Sequence, residues 1–214
     1  MSTKADSRLE DEVRQALEQG RHVQTRMRDI TLKALTRGEL DQEALREVTR
    51  EVLHAVQSAA QASGSRAKDT MAEAVAGVDD ALAHAAQALK LSIEEAGSRA
   101  EKFSREDLAK ARDNLKSMER IFFDTLRETA KASRGAASSA FDDAIAHMQS
   151  SGTALGRQLK ENVGALSGGM AEAGRAQFHA GVKAAVSSGA MMARIASGVL
   201  AGIADSLSGA PKNR

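Results

Sequence analysis

Apolar residues along the first two thirds of the chain recur in alternating steps of three and four. Leu9, Val13, Ala16, Val23, Met27, Ile30 and Ala34 form one such seam, and Met71, Val75, Val78, Leu82, Ala85, Leu89, Ala96, Ala100 and Phe103 form another. Leu45, Val48, Val52 and Ala59 continue the pattern, as do Leu108, Leu115, Met118 and Phe122. A period near 3.5 keeps these side chains on one slowly drifting helical face, which favours packing against a partner helix. The pattern predicts helices over 6–36, 42–62, 66–103, 105–149 and 154–207 and an all-α fold: long amphipathic helices in a coiled-coil-like helical bundle.

Helix starts are marked locally. After Gly38, Asp41 can accept from the first turn of the next helix, with Leu40 and Leu45 placed as a hydrophobic staple. Ser104, with Asp107 three residues on and Phe103 and Leu108 as staple, repeats the device. Breaks are expected around Ser63–Ser65 and Ser150–Gly152. Residues 1–150 read as a charged helical body with heptad-like seams, and 151–214 as a Gly/Ala-rich amphipathic tail helix.

The tail carries a longer period. Glu161, Glu172, Lys183, Arg194 and Asp205 fall at intervals of eleven. Eleven residues make almost three turns, so successive members are displaced by only about 20° and form one polar stripe. Arg175 and His179 widen that stripe. Val163, Met170, Phe178, Val182, Met192, Ile195, Val199, Leu200 and Ile203 lie on the opposite face. Of these, Phe178, Val182, Met192, Ile195, Val199, Leu200 and Ile203 are the candidate surface-binding residues. One reading packs this helix into the body as a core bundle element. Another adsorbs it reversibly to an apolar or lipid surface, and a third makes it the exposable segment of a pore-forming or secreted protein. The tail's glycines oppose helix formation at roughly 0.5–1 kcal/mol each, so packing or a surface must support the helix. The pairs Gly164/Gly168 and Gly198/Gly202 have the spacing that permits tight helix contact.

Composition narrows the function. Aromatics are 2% of the chain, five Phe with no Trp or Tyr, so burial must come from Ala, Leu, Val, Ile and Met. The single proline, Pro211, leaves the helices free to run long. Absent cysteine excludes disulfides and thiol chemistry. A net charge of +1 gives no global pull toward nucleic acid or anionic lipid. The basic residues are interleaved with acidic ones and lack aromatic neighbours for stacking. The beginning has no apolar leader and the tail no span near the roughly 20 residues a membrane crossing needs, so the expectation is a cytoplasmic, non-spanning protein. The five histidines are widely spaced, and no phosphate loop or nucleophile elbow is present. Carboxylate pairs such as Asp79–Asp80, Glu94–Glu95 and Asp142–Asp143 read as solvated surface. No enzyme activity, cofactor, metal, nucleic acid or small-molecule substrate is expected.

The segment Arg28-Asp-Ile-Thr-Leu-Lys-Ala-Leu-Thr-Arg-Gly-Glu-Leu-Asp41, followed by Ala44-Leu-Arg-Glu-Val48, resembles an uncharacterised family of bacterial all-helical proteins. In its Ala-rich helices, absent Cys and Trp, and apolar tail face, the chain also resembles phasins, which coat polyhydroxyalkanoate granules. These resemblances imply a bacterial cytosolic homo-oligomer without catalytic residues. The expected function is association with an apolar granule or membrane surface, the alternative being a soluble helical scaffold or stress-related self-assembling protein.

Overall fold

The computed structural model describes residues 4–63, 67–98, 105–176 and 188–207. These form α1 (Lys4–Gln19), α2 (Val23–Leu35), α3 (Gln42–Ser63), α4 (Ala67–Ser98), α5 (Arg105–Ala132), α6 (Ala136–Ser151), α7 (Ala154–Ala176) and α8 (Ser188–Leu207). The fold is all-α, with no strand among the described residues.

The seams become the core. Leu9, Val13, Ala16, Val23, Met27 and Ala34 are buried, as are Met71, Val75, Val78, Leu82, Ala85 and Leu89 on α4 and Leu115, Met118 and Phe122 on α5. Ala96, Ala100, Phe103, Leu108 and the Ser104 cap lie outside the residues whose side chains are described. The described residues of these seams find partners within one chain, so their burial needs no second copy.

α4 is the axis of the bundle and packs against each of the other seven described helices. Its sequence explains this position. From Ala74 to Ala88 the residues Ala74, Val75, Val78, Ala81, Leu82, Ala85, Ala86 and Ala88 are buried around much of its circumference, and a helix that is apolar on most sides belongs inside. The many alanines let several neighbours approach closely. Gly77 is the tightest point: a Cβ there would lie 2.3 Å from the Gln24 carbonyl oxygen and 2.8 Å from Met27 Cβ of α2.

The Asp41 device forms as expected. Asp41 Oδ1 accepts the Ala44 N–H at 2.9 Å, and Leu40 and Leu45 are both buried. Three expected helices are divided. The first breaks at Gly20-Arg21-His22, where Gly20 (φ 58°) and His22 (φ 53°) are left-handed. α1 and α2 then lie antiparallel, with Lys33 on Glu12 at 2.8 Å. The fourth breaks at Gly135 (φ 60°), separating α5 from α6. The expected break at Gly152 is present, with φ 77°.

The tail is likewise not one rod. Leu155 meets Asp79, and Asn162 meets Ala86, so α7 starts beside the middle of α4 and runs parallel to it. Continued straight, the helix would carry Leu200 ~68 Å from Leu155, whereas α4 extends only ~29 Å beyond Asp79. Yet α8 also packs on α4. α7 and α8 are therefore separate elements, both laid on the body.

Candidate functional site: the tail face and its anchorage

The root of α7 is built from three helices. Asp79, though adjacent in sequence to Asp80, is 5% exposed and not the solvated residue expected of it. Its carboxylate accepts the N–H of Ala154 at 2.6 Å and of Leu155 at 3.0 Å. Thr153 supplies the cap itself: its hydroxyl accepts the Gly156 N–H at 2.7 Å and donates to Glu119 of α5 at 3.0 Å. The first N–H groups of a helix have no partner of their own, and a carboxylate there also meets the favourable end of the helix dipole. Burial nevertheless pushes the Asp79 carboxyl above its ordinary value. The two N–H donors and the Arg157 charge oppose that rise, and Asp80 adds to it. Gly156 leaves room for this pair, since a Cβ there would lie 2.4 Å from Glu119 Oε1 and 2.8 Å from Thr153 Oγ1 and would shift both side chains.

Further along, Asn162, 1% exposed, donates to the Ala86 carbonyl at 3.0 Å. Gln158 donates to Gln87 and to Asn162 Oδ1, each at 2.9 Å. The α4–α7 seam is thus a satisfied polar ladder flanked by buried Leu155 and Leu159. A buried amide that must keep its partner fixes the register of the helices as well as their proximity.

α8 is held differently. Of the candidate surface residues, Phe178 and Val182 lie outside the described residues, and Met192 lies in α8 with its side chain outside them. The other four share one face. Leu200 is completely buried, and Ile195, Val199 and Ile203 are half-buried against the core. That face is turned onto α2, α4 and α5. Glu161, Arg194 and Asp205, the described members of the stripe, are exposed as expected. Arg194 donates to Glu39 at 2.9 Å and the Ser197 hydroxyl donates to the Gly38 carbonyl, so the turn between α2 and α3 fastens the helix at its outer edge. Gly164, Gly198 and Gly202 face open space, so in this arrangement they make no close helix contact of the kind their spacing permits.

The anchoring residues escaped the sequence reading. The break at Ser150–Gly152 and a helix from 154 are legible locally, but nothing local ties Ala154 to Asp79, 75 residues away.

Two other polar features lie elsewhere in the bundle. A groove of about 290 Å³ between α1 and α2 is lined by Glu12, Gln15, Ala16, Arg26, Asp29 and Ile30. Its charged groups have partners: Glu12 pairs with Lys33 and Arg8, Asp29 with Arg28, and Arg26 donates to the Gln19 amide oxygen. On the α2–α4 contact, His84 is half-buried beside Arg28, Asp29 and Asp80. Burial first and Arg28 second hold its pKa below the ordinary histidine value, with the two aspartates opposing. Among the described residues no three acidic, His or Cys side chains converge as a metal site, and no helix is long and apolar enough to cross a membrane.

A family model described as a family of unknown function, DUF6781, matches residues 2–209, and the chain belongs to that family. No curated protein and no solved structure matches it.

Proposed function

We propose that this member of DUF6781 is a non-catalytic coat protein that associates with an uncharged apolar surface through α8, in the manner of a granule-coating phasin. The observation that carries the reading is the make-up of α8. Ile195, Val199, Leu200 and Ile203 lie on one face, exposed Arg194 and Asp205 on the other, and open glycines at 198 and 202 leave the helix dependent on something to lie against. Fully burying one such aliphatic side chain contributes about 1.5–3 kcal/mol relative to leaving it in water, so a surface that takes up several together can replace the burial they have on the core. The described part of α8 carries one cation and one anion, which gives no pull toward charged headgroups and favours a neutral inclusion surface over an anionic membrane. Lateral contact between copies on that surface belongs to the same proposal.

A second reading is a structural one, in which α8 is a permanent bundle helix. The complete burial of Ala196 and Leu200 favours it.

Co-sedimentation of the full chain with polyester granules, paired with thermal melting, separates the two. Val199→Asp puts a carboxylate on the apolar face, whereas Gly198→Asp places one about 40° from Arg194 on the polar side, where a Cβ meets nothing within 4 Å. Adsorption requires that Val199→Asp lose granule binding while the helical body keeps its melting temperature, and that Gly198→Asp bind as wild type does. A permanent bundle helix requires instead that Val199→Asp lower the melting temperature of the whole protein by burying an unpaired charge. Wild type that never binds granules sinks the adsorption reading.

A further inference from the structure

We infer that the bundle is the closed state of a latch: α8 must leave its groove on α2, α4 and α5 before it can adsorb, while α7 stays clamped to α4. The inference rests on the adsorption reading and adds its regulation.

The argument is geometric. One helix face cannot lie against a protein core and an external surface at once, and Leu200 has no exposed area in the closed arrangement. The four described residues that would enter the surface are the ones α8 now spends on the core. The two halves of the tail are also fastened by different means. α7 is rooted through buried groups, with Asp79 on two backbone N–H groups, Thr153 between Gly156 and Glu119, and Asn162 on the Ala86 carbonyl. Detaching it strands polar groups away from water, which is costly. α8 is fastened at its edge by Arg194 on Glu39, whose side chains are 75% and 37% exposed, and by the Ser197 hydroxyl on Gly38. Water replaces such contacts readily. Opening therefore separates at α8, and a surface that accepts its apolar face offsets the area lost from the core. Binding strength then depends on how often the latch is open, because a ligand selective for a minor state binds with an affinity reduced by that state's population.

The experiment fixes the latch shut. The chain has no cysteine, so Glu39→Cys/Arg194→Cys introduces the sole thiols, on two outward-facing side chains already in contact. One sample is bridged with a short bismaleimide and a second is capped at both thiols with a monofunctional maleimide. Both are checked for wild-type helicity and sedimented with polyester granules beside wild type. The expected result is binding by wild type and the capped protein, with the bridged protein weaker by about tenfold or more. Equal binding by bridged and capped protein, with wild type also binding, overturns the latch and leaves the adsorption reading intact. Failure of wild type to bind overturns both. Glu39→Arg tests the same point without chemistry, by replacing an exposed attraction with a repulsion against Arg194. It should tighten granule binding by about two- to tenfold, and unchanged or weaker binding counts against the latch.

Discussion

The Asp79 carboxylate and the Leu155 backbone N–H, 76 positions apart in the chain, meet at 3.0 Å and join the middle of α4 to the first turn of α7. Asp79→Ala leaves two buried N–H groups without an acceptor and should destabilise the protein by about 1–3 kcal/mol in chemical denaturation. Asp79→Asn keeps one accepting oxygen and should cost less. The pH dependence has a definite sign. Burial raises the folded-state pKa above the ordinary value of 3.8, so the native state holds the proton more tightly than the unfolded chain. The resulting stabilisation is complete below pH 3.8 and is lost as pH rises through the folded value. The advantage of wild type over Asp79→Asn should therefore shrink over that rise.

Gly77→Ala should push α2 and α4 apart, because the new methyl meets the Gln24 carbonyl and Met27 Cβ inside contact distance. A loss of about 1–3 kcal/mol is expected from overpacking against backbone. Gly164→Ala is the opposite case, a helical glycine with open space where its Cβ would stand. It should gain about 0.5–1 kcal/mol. A melting temperature that rises for Gly77→Ala as well as for Gly164→Ala would contradict the close approach at Gly77.

His84 provides a second pH test, in a higher window. Its folded-state pKa is depressed by burial and by Arg28, so the native state favours the neutral ring. Stability from this group is present above the ordinary value of 6.5 and is lost as pH falls through the lower folded value. Melting temperature should decline from pH 7 to pH 5 in wild type and decline less in His84→Gln.

Hydrogen exchange should divide the tail. Amides around Leu159 and Asn162 in α7 should exchange with the protection of α4, whereas those around Ala196–Leu200 in α8 should exchange faster through local opening. Equal protection in α7 and α8 would mean that the two detach only with global unfolding.

The features legible in the sequence share a short range. Leu40, Asp41 and Leu45 announce a helix start within six residues, and the seam from Met71 to Leu89 repeats within one helix. The eleven-residue stripe placed Arg194 and Asp205 correctly in water. The missed features depend on distant partners or on backbone conformation. The step from Ala16 to Val23 keeps the apolar period running across Gly20-Arg21-His22, so the periodicity concealed a break that the left-handed residues impose. Asp79 beside Asp80 looks like any solvated pair until α7 arrives to be capped. The pairs Glu94–Glu95 and Asp142–Asp143 are exposed as read, with Lys90 on Glu94 and Lys68 of α4 on Asp143 at the surface.

A helix that serves seven neighbours at once cannot change length without disturbing all of them. Deleting one residue between Asp79 and Ala86 would turn everything beyond it by about 100° and shift it by ~1.5 Å. Ala86 would leave Asn162 while Asp79 stayed with Leu155, so the two ends of one interface would demand different registers. Length variation among relatives should therefore collect in the connections and be excluded from α4, where a gap in an alignment would signal a different architecture rather than a tolerated variant.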